Sequence, residues 1–78
     1  MPHVIIKLWP GRSEKEKKDL AQKITAAVKS ALSYGDESIS VGLEEVSAQA
    51  WQKEVYEPDI VNKAATLYKK PGYGSLAS

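Results

Sequence analysis

The chain has 78 residues, of which 42% are hydrophobic and 27% are charged, a balance typical of one small globular domain and not of a disordered segment. It contains no cysteine, which excludes disulfides and thiolate metal sites. The net charge of +1, from 11 basic and 10 acidic residues, gives no electrostatic reason to expect a nucleic acid or an anionic membrane as a partner. No apolar run reaches membrane-spanning length and the start lacks signal-peptide features, so we expect no membrane span and a cytoplasmic location.

The first predicted element is a strand, and a helix follows it. The segment HVIIKLW, residues 3–9, alternates between two faces, and Pro10 and Gly11 end it. Ser13 and Glu16 have the spacing of a capping box, which predicts the start of a helix. Apolar residues then recur three and four positions apart and predict one packing stripe: Leu20, Ile24, Ala27, Val28, Ala31 and Leu32. We expect this helix to end in a left-handed turn at Gly35.

A second strand is predicted over residues 38–46, SISVGLEEV, which alternate again. A helix between two strands is a β-α-β unit, which normally places the strands parallel. The predicted fold is therefore α/β, with residues 1–78 forming a single domain. A two-stranded parallel sheet leaves its edges and one face open, so we expect the sheet to be completed by assembly into a homo-oligomer.

The remainder of the chain is less regular. Ser47 is expected to cap a short helical turn that includes Trp51, and Pro58 suits the first turn of a last helix reaching Tyr68. The final segment GYGSLAS, residues 72–78, is expected to be mobile unless a partner holds it.

Most catalytic constellations are absent. With one histidine and no cysteine, neither an ordinary zinc site nor a Cys–His nucleophile pair is available. The histidine, His3, is near a strand start, where a structural role is more common than a role as a base. Glu44 and Glu45 are neighbours on a strand and point to opposite faces, so they do not form a catalytic carboxylate pair.

Pro2 has a second interpretation besides protecting the amino terminus or starting a strand. Removal of Met1 would leave Pro2 with a secondary amine. An α-amino group ordinarily titrates at about pH 7.7–8.0, and an apolar pocket or a nearby arginine lowers that value. Such a nitrogen would be a suitable general base near neutral pH.

These features together resemble the 4-oxalocrotonate tautomerase family. The resemblance rests on Pro2 directly after Met1, a short strand, GRSEKEK opening a long helix, and the strand SISVGLEEV. The end of the chain, with YKKPGY, is similar to the PptA-type, or phenylpyruvate tautomerase-like, subgroup. The resemblance implies an isomerase that interconverts keto and enol forms of a small carboxylate, with no metal and no other cofactor. Short family members are hexamers, whereas members with a longer carboxyl end tend to be dimers, so we expect a homodimer.

The resemblance also implies roles for individual residues. Pro2 would be the general base, and Arg12 would bind a substrate carboxylate through its forked guanidinium. Trp51 would form a wall of the pocket, and Trp9 would line the same pocket. For each of the last three residues an ordinary structural role stays open.

One position departs from the family pattern. Ser40 stands where well-known members carry a second arginine that polarises the substrate's keto oxygen, and a serine supplies one hydrogen bond without charge. This favours a monocarboxylate of the arylpyruvate type as substrate over a dicarboxylate. Two alternatives stay open: a hydratase or dehalogenase that uses Pro2 as an acid, and a non-catalytic oligomerisation or binding module. The tautomerase interpretation and the hydratase or dehalogenase interpretation both require that Met1 be removed.

Overall fold

The structure, a computed structural model, describes residues 1–77. These residues form two compact units, one from Met1 to Glu45 and one that begins at Val46. The single domain over residues 1–78 stays a prediction. No helix within the described chain is both long and apolar enough to cross a membrane.

The first unit is the predicted β-α-β unit. Strand β1 covers His3–Leu8, helix α1 covers Glu14–Leu32, and strand β2 covers Ser40–Glu45, with a short 3₁₀ turn at Asp36–Ser38 before β2. The two strands are parallel, and the register pairs His3 with Ser40 and Leu8 with Glu45. The α/β prediction is therefore confirmed, and the sheet has two open edges.

Helix α1 begins as its sequence predicts. The Ser13 side chain accepts a hydrogen bond from the Glu16 backbone N–H, and the Glu16 side chain accepts one from the Ser13 backbone N–H, each at 3.1 Å. This reciprocal pair satisfies two N–H groups that have no partner inside the helix. The end differs from the prediction, because Ser33 and not Gly35 takes the left-handed conformation, with φ of 60°. The Ser33 N–H still bonds to the Lys29 carbonyl at 2.9 Å, which closes the last turn.

The packing stripe of α1 is narrower than predicted. Leu20, Ile24 and Val28 are partly buried, whereas Ala27, Ala31 and Leu32 are exposed. A sheet of two strands is only about 5 Å wide between strand axes, so it covers one narrow strip of the helix. No side chain of the first unit, residues 1–45, is fully buried. The unit therefore leaves apolar surface available on both the helix and the sheet.

The second unit contains the two buried hydrophobic residues of the described chain, Val55 and Tyr56, which are 4% and 3% exposed. Ser47 accepts a hydrogen bond from the Ala50 N–H at 3.2 Å, as predicted for a cap. The prediction of a last helix starting at Pro58 is wrong, because a π-helical segment runs through Pro58 from Gln52 to Val61. In the part of the chain that the structure describes, the one helical element after it is a 3₁₀ turn, Ala64–Thr66. Proline has no N–H to donate and crowds the preceding turn, and the wider π-helical turn accommodates both effects.

Candidate functional site

Pro2, His3 and Ser40 lie together at the amino-terminal ends of the two strands. The Ser40 backbone N–H donates to the Pro2 carbonyl at 3.2 Å, and the side chains of His3 and Ser40 approach to 2.6 Å between Nδ1 and Oγ. Both side chains are exposed, and Pro2 is partly buried. The strand register thus places Pro2, the candidate base, next to Ser40, a predicted substrate-binding residue.

Arg12 lies beyond the other end of β1, immediately before α1. The preceding residue, Gly11, has φ of 124°, a conformation that residues with a Cβ rarely adopt. The turn so formed directs the Arg12 guanidinium to Glu16, with Nη1 and Oε2 3.3 Å apart. The Arg12 side chain remains 67% exposed, so it is accessible to an anionic ligand. Glu16 thus bonds to two neighbours, because its other carboxylate oxygen, Oε1, accepts a hydrogen bond from the Ser13 N–H.

A cavity of about 200 Å³ opens beside Arg12. It combines apolar and charged walls, and its lining residues are Leu8, Arg12, Glu16, Lys17 and Leu20. The ammonium group of Lys17 is already paired with Glu14 at 3.0 Å and with Glu45 at 3.4 Å. The pKa of Lys17 is raised, first by its hydrogen bond to Glu14. Arg12 is also paired, with Glu16, but its side chain is 67% exposed against 21% for Lys17, so a carboxylate with an apolar body that enters this cavity would find Arg12 as its more accessible cationic partner.

Pro2 and Arg12 are not brought together within one chain. Pro2 precedes the first residue of β1 and Arg12 follows its last, and a strand of six residues is on the order of 20 Å long. The lining of the Arg12 cavity does not include Pro2. A small 2-oxo acid is far shorter than the strand, so one chain by itself cannot offer both groups to one such molecule.

The two tryptophans lie in different units. Trp9 follows β1 and is 59% exposed, so it does not contribute to a core in this chain. Trp51 precedes the π-helical segment and is partly buried, and its Nε1–H donates to the Tyr73 hydroxyl at 3.1 Å. A pocket-lining role for either tryptophan stays a prediction.

Tyr56 holds the described part of the carboxyl-terminal segment, residues 72–77, contrary to the expected mobility; residue 78 lies outside the described residues. The Tyr56 hydroxyl donates to the Tyr73 carbonyl at 3.2 Å and accepts from the Leu76 N–H at 3.0 Å. The rings of Tyr56 and Tyr73 are 5.4 Å apart between centroids, which suits a tilted aromatic contact. Sequence reasoning missed this cluster, because the residues that it joins are 17 to 22 positions apart.

Two other contacts were also missed. The Arg12–Glu16 pair has i, i+4 spacing at a helix start, a signal that the sequence does carry. The His3–Ser40 pair depends on the register between strands and has no such local signal. Within residues 1–77 there is no group of three or more histidine, aspartate and glutamate side chains that could hold a metal ion.

The Glu16 contacts predict an acid-sensitive helix start. The pKa of Glu16 is lowered from 4.5, first by the Ser13 backbone N–H and also by Arg12. A lowered pKa means that the stabilisation is present above about pH 4.5 and is lost as the pH falls below it. We expect Glu16→Gln, which keeps the capping box but loses the charge, to reduce the fall in Tm between pH 5 and pH 3. Asp19→Asn, on the outward face of α1, is the control; equal slopes for wild type and Glu16→Gln would contradict the prediction.

Comparisons with known proteins agree on one family. Residues 2–56 match the family model described as "Tautomerase enzyme". A probable tautomerase of Xylella fastidiosa (strain 9a5c) is 42% identical over 78 residues, which are 100% of this chain and 95% of that protein. Tautomerase PptA of Pectobacterium carotovorum subsp. carotovorum (strain PC1) is 42% identical over 74 residues, 94% of this chain and 97% of that protein.

Solved structures show the same relationship. YwhB, a homologue of 4-oxalocrotonate tautomerase, superposes with a TM-score of 0.58 at 37% identity, covering 59% of this chain and 75% of its own. TomN, a 4-oxalocrotonate tautomerase homologue of the tomaymycin biosynthetic pathway, gives a TM-score of 0.62 at 32% identity, covering 64% and 77%. The β-α-β fold derived above is thus the fold of these neighbours.

Proposed function

Since the chain belongs to the tautomerase enzyme family and is an isomerase of that kind, we propose that its substrate is a small 2-oxo monocarboxylate or its enol, of the arylpyruvate type. The reaction moves a proton between carbon and oxygen, so it needs a base, an anchor for the carboxylate and a donor for the oxygen. Pro2, Arg12 and Ser40 are the residues that we assign to these three tasks. The reaction as proposed requires no cofactor.

The proposed base is the Pro2 nitrogen. Met1 is 90% exposed, which makes it accessible to an aminopeptidase, and the residue that would become the new terminus is small. After this removal Pro2 carries a secondary amine at the start of β1, where the Ser40 N–H holds its carbonyl. An amine that titrates near neutral pH is partly unprotonated under ordinary conditions and can accept the substrate's proton.

The observation that carries the proposal is the composition of the Arg12 cavity. It presents the guanidinium of Arg12, which is accessible although it pairs with Glu16, beside Leu8 and Leu20. Its second cation, Lys17, is less exposed and is paired with Glu14 and Glu45. A ligand with one carboxylate and an apolar body matches such a site better than a dicarboxylate does. Trp51 and Trp9 are proposed as further walls of the pocket.

The separation of Pro2 and Arg12 supports a site built from two copies of the chain. The open sheet and the exposed apolar residues, among them Ile5 at 51% and Leu32 at 58%, provide surface for such an assembly. We propose a homodimer in which Arg12 of one copy and Pro2 of the other bind one substrate molecule. The cytoplasmic location stays a prediction from the sequence.

The test is a keto–enol assay on phenylenolpyruvate with Arg12→Ala. A lost charged hydrogen bond is worth about 1.5–3 kcal/mol, so we expect kcat/KM to fall about 10- to 150-fold, mainly through KM. Lys15→Ala, also exposed at the start of α1, is the matched control. Unchanged kinetics for Arg12→Ala would remove this residue from the site.

A mixing experiment tests the shared site. Pro2→Ala and Arg12→Ala, each of low activity, are unfolded together and refolded as a mixture. In a dimer with two shared sites, half of the molecules are mixed and one site in each mixed dimer is intact, so about a quarter of wild-type activity should return. Activity no higher than the mean of the two variants would contradict a site built from two copies.

A further inference from the structure

We propose that His3 and Ser40 act as one unit, in which His3 makes the Ser40 hydroxyl a hydrogen-bond donor to the substrate oxygen. This inference rests on the proposed function, since it needs Pro2 to be the base. In this proposal His3 is a positioning residue, because Ser40 makes the contact with the substrate.

The placement of the pair comes from the strand register. His3 and Ser40 are the first residues of β1 and β2 and are directly paired, and their side chains meet at 2.6 Å between Nδ1 and Oγ. Paired residues of parallel neighbouring strands point to the same face. The Ser40 N–H also bonds to the Pro2 carbonyl, which fixes the backbone of Ser40 next to that of the proposed base, and the contact with His3 positions the hydroxyl. Both side chains are exposed, so a ligand can reach them.

The direction of the His3–Ser40 hydrogen bond decides what Ser40 can do. A serine hydroxyl has one hydrogen and two lone pairs. When Nδ1 of His3 carries a hydrogen, Ser40 accepts that hydrogen and keeps its own for another partner. When Nδ1 is bare, the Ser40 hydrogen is used in the bond to His3. Only the first arrangement leaves a donor for the oxygen on which negative charge develops during enolisation.

Protonation of the imidazole selects the useful arrangement. A charged imidazole carries hydrogen on both nitrogens, so Nδ1 is then always the donor. The positive charge also adds the electrostatic stabilisation that a serine by itself lacks at this position. On the same sheet face the register pairs Lys7 with Glu44, and the amino terminus adjoins His3. These are the other charged groups of β1 and β2 that face the pair.

Rate measurements on phenylenolpyruvate test this coupling. We expect Ser40→Ala and His3→Ala each to lower kcat/KM about tenfold, the effect of one hydrogen bond to a partly charged group. The double variant should lose no more than either single variant, because both changes remove the same donor. A loss of about 100-fold in the double variant would mean that the residues act independently and would overturn the proposal.

A pH profile separates positioning from a merely structural role. His3→Asn places an amide near Nδ1 that can donate at every pH, so it should recover part of the activity lost in His3→Ala. Because the ionisation of Pro2 is common to both proteins, the ratio of wild type to His3→Asn isolates the contribution of His3. We expect this ratio to fall as the pH rises, because a bare Nδ1 accepts the Ser40 hydrogen. Glu44→Gln, which removes another titrating group from the same face, should preserve this pH dependence.

Two further results keep the proposal falsifiable. The proposal is overturned if the ratio of kcat/KM between wild type and His3→Asn does not change with pH. It is also overturned if the same ratio, measured with Ser40→Ala present in both proteins, changes equally with pH. If a variant alters the assembly, nitrogen-15 NMR of the imidazole gives a direct measurement. Hydrogen on Nδ1 in the wild type supports the proposal, and a bare Nδ1 under the conditions of the assay overturns it. The Pro2→Ala experiment distinguishes the two proposals. A fully active Pro2→Ala protein would contradict the proposed function, whereas additive effects of the His3 and Ser40 variants would contradict this inference alone.

Discussion

Replacing Pro2 by alanine is expected to lower kcat/KM for phenylenolpyruvate by about 10²- to 10⁴-fold, the usual contribution of a positioned general base. Alanine also permits removal of Met1, so the variant still has a terminal amine. That amine is primary, however, and its nitrogen is no longer part of a ring that fixes its position relative to Cα and Cβ. The backbone hydrogen bond from Ser40 to residue 2 remains available, so the loss should be one of catalysis and not of folding.

The measurement needs two controls. Mass spectrometry establishes that both proteins begin at residue 2, since a retained Met1 would turn the Pro2 nitrogen into a non-basic amide. Pro10→Ala, which changes the proline just beyond the opposite end of β1, should leave kcat/KM near the wild-type value. If Pro2→Ala with a correctly processed terminus stays within about threefold of wild type, Pro2 is not the base. A processed wild-type protein without tautomerase activity would favour the alternatives of a hydratase, a dehalogenase or a binding module.

The largest expected effect on stability is that of Gly74→Ala. Gly74 has φ of 73°, a left-handed conformation that costs a residue with a Cβ about 1–2 kcal/mol. A Cβ at this position would also overlap the hydroxyl and ring of the buried Tyr56, whose Cε1 would be 2.8 Å away. Tyr56 is 3% exposed, so its ring has little room to move. With the cost of overpacking added, we expect a loss of about 2–4 kcal/mol in the free energy of unfolding.

Gly72→Ala is the matched control for this prediction. It lies two residues earlier in the same segment, and nothing lies within 4 Å of the Cβ that it would gain. We expect its stability to be within about 0.5 kcal/mol of wild type. Chemical denaturation with tryptophan fluorescence is a suitable measurement, because Trp51 donates to the hydroxyl of Tyr73, the neighbour of Gly74. Equal denaturation midpoints for the two variants would show that Gly74 does not pack against Tyr56 as described.

Local sequence rules predicted those parts of the fold whose causes are local. The capping box of Ser13 and Glu16, the strand β1 and the turn at Gly11 each depend on residues within five positions of one another. The order of strand, helix and strand then restricts the topology to a parallel pair. The same rules failed at Pro58, where a change of helix type keeps the chain helical through a proline.

The sequence by itself determined the α/β class and the β-α-β order, because these follow from periodicity and capping, and its resemblance to a family led to Pro2 as the proposed base. Only the tertiary structure decided which of those residues meet. The register of two strands joins His3 to Ser40, 37 positions away, and the length of β1 separates Pro2 from Arg12. The buried Tyr56 likewise holds a carboxyl-terminal segment that was expected to be mobile. Contacts of this kind depend on how whole elements pack, which local sequence rules do not describe. Because the two-stranded sheet is narrow, part of the apolar surface of the sheet and of α1 remains exposed in the single chain.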